Sequence, residues 1–334
     1  MYLGSIISKL VICMGIKMKV KPEILIYLFT GFLESGKTKL IKETLADPEF
    51  SNGEKTLVIQ CEEGMEEYEE TQLKQWNAQL AVLEEEEDFT EDFFKECNKK
   101  YKPDRVMMEY NGTWNMEKLM DMPLPKGWVL VQVLTTIDAA TFESYMGNMR
   151  SLLVPQFTYS DAVIFNRCTE ETPKASYRRM VKAVNPKAQM VYELEDGTID
   201  NTMDEVLPFD ITKQCIEITE EDYGIWYMDA LDHPEHYDGK ELMFKAVAYI
   251  PKEGKGKWFV PGRFAMTCCA DDVAFIGFKC YGDEISKYSN RDWIMLTASG
   301  KMEYVKEYEG EGLVLSAKKI EPAEQSKEEL VYFT

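Results

Sequence analysis

The segment Gly31-Phe32-Leu33-Glu34-Ser35-Gly36-Lys37-Thr38 constrains this chain more than any other feature. It has the Gly-x-x-x-x-Gly-Lys-Thr spacing of a phosphate-cradling loop, which works only between a strand and a helix. Both flanks meet that condition. Residues 24–29 are a short apolar run rich in β-formers, and Leu40, Ile41 and Leu45 follow Lys37 at helical spacing. Gly31 and Gly36 allow backbone conformations closed to residues with a Cβ. The N–H groups of the loop, those of Glu34 and Ser35 included, then turn toward phosphate oxygens at a helix N-terminus. Lys37 would reach the β- and γ-phosphates, and the Thr38 hydroxyl would bind Mg²⁺. The loop therefore predicts a bound nucleoside triphosphate, GTP or ATP, accompanied by Mg²⁺.

From this anchor, β-forming runs and helical spacings alternate along the chain. Strands are predicted over 24–29, 56–60, 105–108, 128–134, 162–165 and 189–193, and helices over 37–46, 68–83, 89–101, 142–153 and 174–184. This alternation predicts an α/β fold, a P-loop NTPase domain with a mostly parallel sheet covered on both faces, over 21–210. The acidic run at 84–88 reads as a solvated segment. Beyond 210 the pattern changes. Strand-like runs at 244–250, 258–267, 273–279, 293–299 and 312–320, separated by turn residues, predict a small all-β domain over 232–322, an OB-like five-stranded barrel. Residues 211–231 read as a linker and 323–334 as a polar tail. Residues 1–20 read as an extension ahead of the native start, since Met18 opens the run into the first strand.

Charge and cysteine usage narrow the partners. The 334 residues are enough for two domains. Asp and Glu outnumber Lys and Arg by 59 to 38, giving a formal charge of −21 that repels phosphate backbones and argues against nucleic acid as a partner. The eight cysteines show no disulfide-framework spacing, and a chain of this length does not need one, which points to a reducing cytoplasm. No apolar stretch is long enough to predict a membrane span.

The ordered motifs that follow resemble the CobW-type GTPases, relatives of the nickel-enzyme maturation GTPases HypB and UreG. Phe29 to Thr38 look like the opening of that family. Cys61-Glu62-Glu63-Gly64 stands where the family has Asn-Glu-Phe-Gly, and Glu69 where it has a later Asp. Glu109-Tyr110-Asn111-Gly112 is similar to its Glu-Thr-Thr-Gly, and Ile137-Asp138-Ala139 to its Val-Asp-Ala. Asp161 to Thr169 resembles its Asp-hydrophobic-Asn-Lys-x-Asp segment. The resemblance implies a nucleotide site in which Lys37, Thr38 and Glu62 act catalytically. Thr38, Glu62 and Glu109 would surround Mg²⁺, and Asn166 and Arg167 would lie at the base. It also implies a homodimer as a working form. Two positions depart from the family. Thr169 replaces the Asp whose carboxylate accepts two bonds from guanine, and Arg167 replaces Lys, so GTP and ATP both stay open. The family's Cys-x-Cys-Cys metal motif is missing, because Cys61 and Cys97 lack that spacing. Glu62 or Glu63 would orient the attacking water. Asp138 reads either as a ligand contact at a strand end or as a helix cap.

Residues 232–320 resemble the soluble C-terminal region of a family of permease-complex subunits, through Tyr237-Asp238-Gly239-Lys240 and the Arg263…Cys268-Cys269…Asp272 segment. Cys268 and Cys269, with His233 or His236, would suit Zn²⁺. Neighbouring residues on a regular strand point to opposite faces, however, so the alternative is one buried cysteine, one exposed cysteine and two loop histidines. Three functions are compatible with the sequence. The first is an NTP hydrolase that couples turnover to metal or cofactor handling or to a partner protein. The second is a non-hydrolysing nucleotide sensor docking on a permease complex. The third is a small-molecule kinase using Asp138.

Overall fold

The computed structural model describes residues 24–51, 53–202, 207–252, 257–266, 273–305, 310–331 and 333. They fall into two compact units, one built from residues up to 174 and 184–203, the other from 175–183 and 204–334.

In the first unit, β1 (Ile24–Thr30), α1 (Lys37–Ala46), α2 (Pro48–Ser51), β2 (Thr56–Gln60), α3 (Glu70–Gln75) and β3 (Ala78–Val82) come first. They are followed by α4 (Glu91–Tyr101), β4 (Arg105–Glu109), α5 (Met116–Met120), β5 (Trp128–Asp138), α6 (Phe142–Asn148), α7 (Arg150–Tyr159), β6 (Ala162–Cys168) and β7 (Gln189–Leu194). The strands form one seven-stranded sheet in the order β3-β2-β4-β1-β5-β6-β7, and every pairing is parallel. β1 lies at the centre and shows why a parallel sheet reads as a continuous apolar run. Tyr27 and Phe29 face a core with Leu40, Ile41 and Leu45, while Ile26 and Leu28 face another with Phe94, Cys97 and Tyr110.

Two helical expectations in this unit are corrected. Residues 68–83 are not one helix. α3 stops at Gln75, Asn77 turns the chain at φ 51°, and 78–82 form the edge strand β3. Asn tolerates the left-handed conformation that ends a helix this way. Residues 142–153 likewise divide into two helices at Met149, whose φ of −130° and ψ of 29° depart from the helical values.

The second unit carries α8 (Lys174–Val184), β8 (Cys215–Ile218), α9 (Tyr223–Asp232), β9 (Glu241–Tyr249), β10 (Trp258–Met266), β11 (Val273–Gly277), β12 (Cys280–Tyr281), β13 (Trp293–Val305), β14 (Gly310–Pro322) and β15 (Leu330–Val331). Its sheet closes on itself. β9 pairs with β10, β10 with β12, β12 with β14, β14 with β13, and β13 with β9. This five-membered ring, in which β12 and β14 run parallel, has the connectivity of an OB barrel. The sequence-predicted third strand is mostly β11, which pairs with β10 outside the ring; only Cys280 and Tyr281 close it. Residues 211–231 are not a linker, since they carry β8 and most of α9. The helix buries Tyr223, Trp226 and Met228 in the barrel's core. The polar tail expected over 323–334 is part of this unit, because β15 pairs with β10 and Val331 and Phe333 are buried. Residues 1–20, Cys268 and Cys269 lie outside the described residues. Among the described residues no helix is long and apolar enough to cross a membrane.

Candidate functional site

The carboxyl ends of β1, β2 and β4 are neighbours, and the chain leaves each of them into the same cleft, where parallel sheets bind ligands. The loop after β1 is shaped by its glycines. Gly31 has φ 135°, and a Cβ there would sit 2.4 Å from both Ser35 Oγ and the Thr136 carbonyl. Gly36 has φ 98°, with Asn166 Nδ2 at 2.6 Å from the place of its Cβ. Gly112, after β4, passes so close that a Cβ would lie 2.2 Å from the Gly31 carbonyl oxygen.

Lys37 folds back over this loop. Its ammonium donates to the carbonyls of Gly31 at 2.7 Å and Phe32 at 2.9 Å, and it pairs with the Glu62 carboxylate. Lys37 is buried and Glu62 is partly buried. Thr38 Oγ1 donates to Glu109 Oε1 at 2.6 Å, and Tyr68 donates its hydroxyl to Glu109 Oε2 at 2.6 Å. Burial pushes the Glu109 carboxyl above its usual range, and the hydrogen bonds from Thr38 and Tyr68 oppose that shift. Glu34, in a left-handed conformation at φ 62°, accepts the Met65 N–H at 2.7 Å and so ties the loop to the segment after β2. The cleft of about 410 Å³ is lined by Glu34, Lys37, Thr38, Glu62, Glu109 and Arg167, among others.

At the other end of the loop, Asn166 donates Nδ2 to the Ser35 carbonyl at 2.6 Å, while its Oδ1 is buried with no hydrogen-bond partner among the described residues. Arg167, at φ 53°, donates to the Glu34 carbonyl at 3.1 Å and to Asp138 Oδ2 at 2.5 Å. Asp138 also accepts the Ala140 N–H within the turn that follows β5, while the N-cap position of α6 is Thr141. Thr169 lies apart and exposed, its N–H given to Thr172 Oγ1.

The structure thus brings Gly31, Glu34, Ser35, Gly36, Lys37, Thr38, Glu62, Glu109, Asn166 and Arg167 to one loop and cleft. Glu62 and Glu109 divide their partners, Glu62 on Lys37 and Glu109 on Thr38. Sequence reasoning missed Tyr68, the Glu34–Met65 contact and the Arg167–Asp138 pair. Tyr68 is 41 residues from its carboxylate partner, and no local pattern announces such a contact. Cys61, at the end of β2, is buried beside Glu109 and Glu62, and burial pushes its thiol far up, away from the thiolate that binds metal. In the second unit His233 and His236 come together, with Glu235 as the third member of the cluster.

A parallel sheet whose central strand runs through a Gly-rich, Lys-Thr-terminated loop into a helix defines a P-loop nucleotide-binding protein. Residues 25–192, about half of the chain, match the CobW/HypB/UreG nucleotide-binding domain, and the chain belongs to that family. Residues 194–333 match the DUF1980 C-terminal domain. Among solved structures, the chain is similar to Zn(II)-bound YjiA GTPase from E. coli, at 23% identity over 54% of this chain and 60% of that one, with a TM-score of 0.39. It is also similar to the hydrogenase maturation factor HypB from Archaeoglobus fulgidus, at 13% identity over 52% and 83%, with a TM-score of 0.35. HypB from Helicobacter pylori in complex with nickel matches at 12% identity over 57% and 83%, with a TM-score of 0.29. The match thus spans about 60% of the length of the YjiA chain. Among curated proteins none matches.

Proposed function

We propose that this chain is a Mg²⁺-dependent nucleoside triphosphatase whose turnover drives a cycle in the segment after β2. The supporting observation is the meeting of Lys37, Thr38, Glu62 and Glu109 at the ends of three adjacent strands. Lys37 exchanges Glu62 for the β- and γ-phosphates when nucleotide enters, and the loop amides take the phosphate oxygens. Thr38 and Glu109 would hold Mg²⁺, an oxygen pair of the kind that ion prefers, and the ion would neutralise the transferring phosphoryl group. A water bonds to the γ-phosphorus, the bond from that phosphorus to the bridging oxygen breaks, and nucleoside diphosphate and phosphate leave. Glu62, released from Lys37, takes the water's proton.

Base selection is relaxed in this reading, so GTP and ATP both bind. The family position for the guanine-reading carboxylate is Thr169, and the nearby Asp138 is already held by Arg167 and the Ala140 N–H. The second unit would use the cycle to handle a metal or a partner protein.

Calorimetric titration with Mg²⁺-GTP and Mg²⁺-ATP, followed by phosphate release, tests the proposal. Saturable binding should disappear in Lys37→Ala. Glu62→Gln should keep binding and lose turnover by at least ~10²-fold, the usual range for a general base. Tight binding with no phosphate release in the native chain would instead select a non-hydrolysing sensor. No binding of either nucleotide would remove the proposal altogether.

A further inference from the structure

The turn between α9 and β9 gathers two imidazoles and two carboxylates. His233 precedes a 3₁₀ turn over Pro234–Tyr237, and in that geometry residues three apart eclipse. The rings of His233 and His236 accordingly stack, with centroids 5.0 Å apart and planes inclined by 23°. Glu235 Oε1 lies 3.2 Å from His233 Nδ1. That is close to the roughly 3.3 Å between neighbouring ligands on a tetrahedral ion with bonds of ~2.0–2.1 Å. One ligand atom from each of His233, Glu235 and His236 falls within 4.8 Å of the others.

A separate observation concerns how His236 is held. Asp229 on α9 is buried, and its Oδ2 lies 2.9 Å from His236 Nδ1 while also accepting the Tyr237 hydroxyl at 2.6 Å. A carboxylate in that position fixes the tautomer with the proton on Nδ1 and leaves Nε2 as the open donor atom. This is the arrangement by which metal-bound histidines are oriented. The turn itself is anchored to the barrel. Gly239 donates its N–H to the Gly300 carbonyl, Asp238 accepts the Met302 N–H, and a Cβ at Gly300 would sit 2.5 Å from the Tyr237 carbonyl.

We propose that His233, Glu235 and His236 form an exchangeable site for a borderline divalent transition ion such as Zn²⁺, Co²⁺ or Ni²⁺, with Asp229 as the positioning residue. Two imidazoles and one carboxylate suit these ions and disfavour Mg²⁺ and Ca²⁺. Three protein ligands leave a coordination position open, and His233 and Glu235 are exposed, so the ion enters and leaves from solvent. The site stands independently of the nucleotide reading, and of the thiols at 268 and 269.

The test is titration of the full chain with Zn²⁺ and Co²⁺ alone, in a Cys215→Ser/Cys268→Ser/Cys269→Ser background that removes the exposed thiol of Cys215 and the thiol pair. One ion should bind per chain, and cobalt should give visible d–d bands without a thiolate charge-transfer band. His236→Ala and His233→Ala should each weaken binding at least tenfold. Asp229→Asn should weaken it ~10–100-fold while circular dichroism remains native, the range for a lost orienting partner. Tyr237→Phe serves as a second variant that disturbs the same carboxylate without touching a ligand, and it should retain one ion per chain. The proposal is overturned if the serine background binds no ion, or if both histidine variants bind as tightly as their parent.

Discussion

At the residue scale, the nucleotide loop was legible because its chemistry is local. Gly31, Gly36, Lys37 and Thr38 stand at spacings fixed by the backbone itself, so the sequence suffices to place them. The partners of those residues were not legible in the same way. Glu109 was placed near the loop from a resemblance, but Tyr68 reaches it across a stretch that carries no repeat or spacing. Glu109 also yields a pH prediction. Burial raises its folded-state pKa above the unfolded value of ~4.3, so the folded protein binds this proton more tightly than the unfolded chain. Its ionisation therefore costs stability as pH climbs past the unfolded value, and the full cost is present once pH exceeds the raised folded value. Below both values the cost vanishes. Glu109→Gln should raise the melting temperature of the nucleotide-free protein at pH 7 and gain nothing near about pH 4. Scanning calorimetry across that range checks this; an equal gain at both ends would mean that ionisation of Glu109 is not the source.

At the element scale, the α/β alternation gave most strands of the parallel sheet correctly, because each is buried on both faces and reads as an apolar run. The exceptions have physical reasons. β3 is an edge strand whose buried residues, Ala78 and Ala81, stand three apart, and it follows a short helix closely enough for the two to share one apparent helical period. α9 is apolar on nearly every side, since Tyr223, Trp226 and Met228 are all buried, so no amphipathic stripe marks it as a helix. The connections between elements carry the site, and the clearest case is Gly112. A side chain there would meet the Gly31 backbone, which has no flexible end to move away. Gln156 reinforces the junction by donating to the Gly112 carbonyl at 3.0 Å and accepting from Thr30 at 2.7 Å. Gly112→Ala should therefore displace the loop, lowering stability by about 1–3 kcal/mol and nucleotide affinity by at least tenfold. Denaturant melts and the same calorimetric titration measure both; an alanine variant with native affinity would show that the close approach does not hold the loop in shape.

At the scale of the whole molecule, charge decides how an anionic ligand is received. The chain carries a formal −21, and the cleft itself is lined by Glu34, Glu62, Glu66 and Glu109 against Lys37, Lys39 and Arg167, an excess of one negative charge. A nucleotide bound with Mg²⁺ still carries negative charge, so the long-range field opposes its approach. The short-range terms act differently. The loop amides and the buried Lys37 bind phosphate at hydrogen-bond distance, where salt screens little, while the surface field fades over a Debye length of ~10 Å at 0.1 M. Added salt should thus remove repulsion and leave attraction nearly intact. Affinity for Mg²⁺-nucleotide should stay level or tighten by up to about threefold between roughly 0.05 and 0.3 M KCl, with most of the gain in the association rate. Stopped-flow binding with a fluorescent nucleotide resolves the two rates. A fall in affinity of tenfold or more over that range would mean that exposed cations such as Lys39 and Arg167, rather than the buried loop, supply most of the binding.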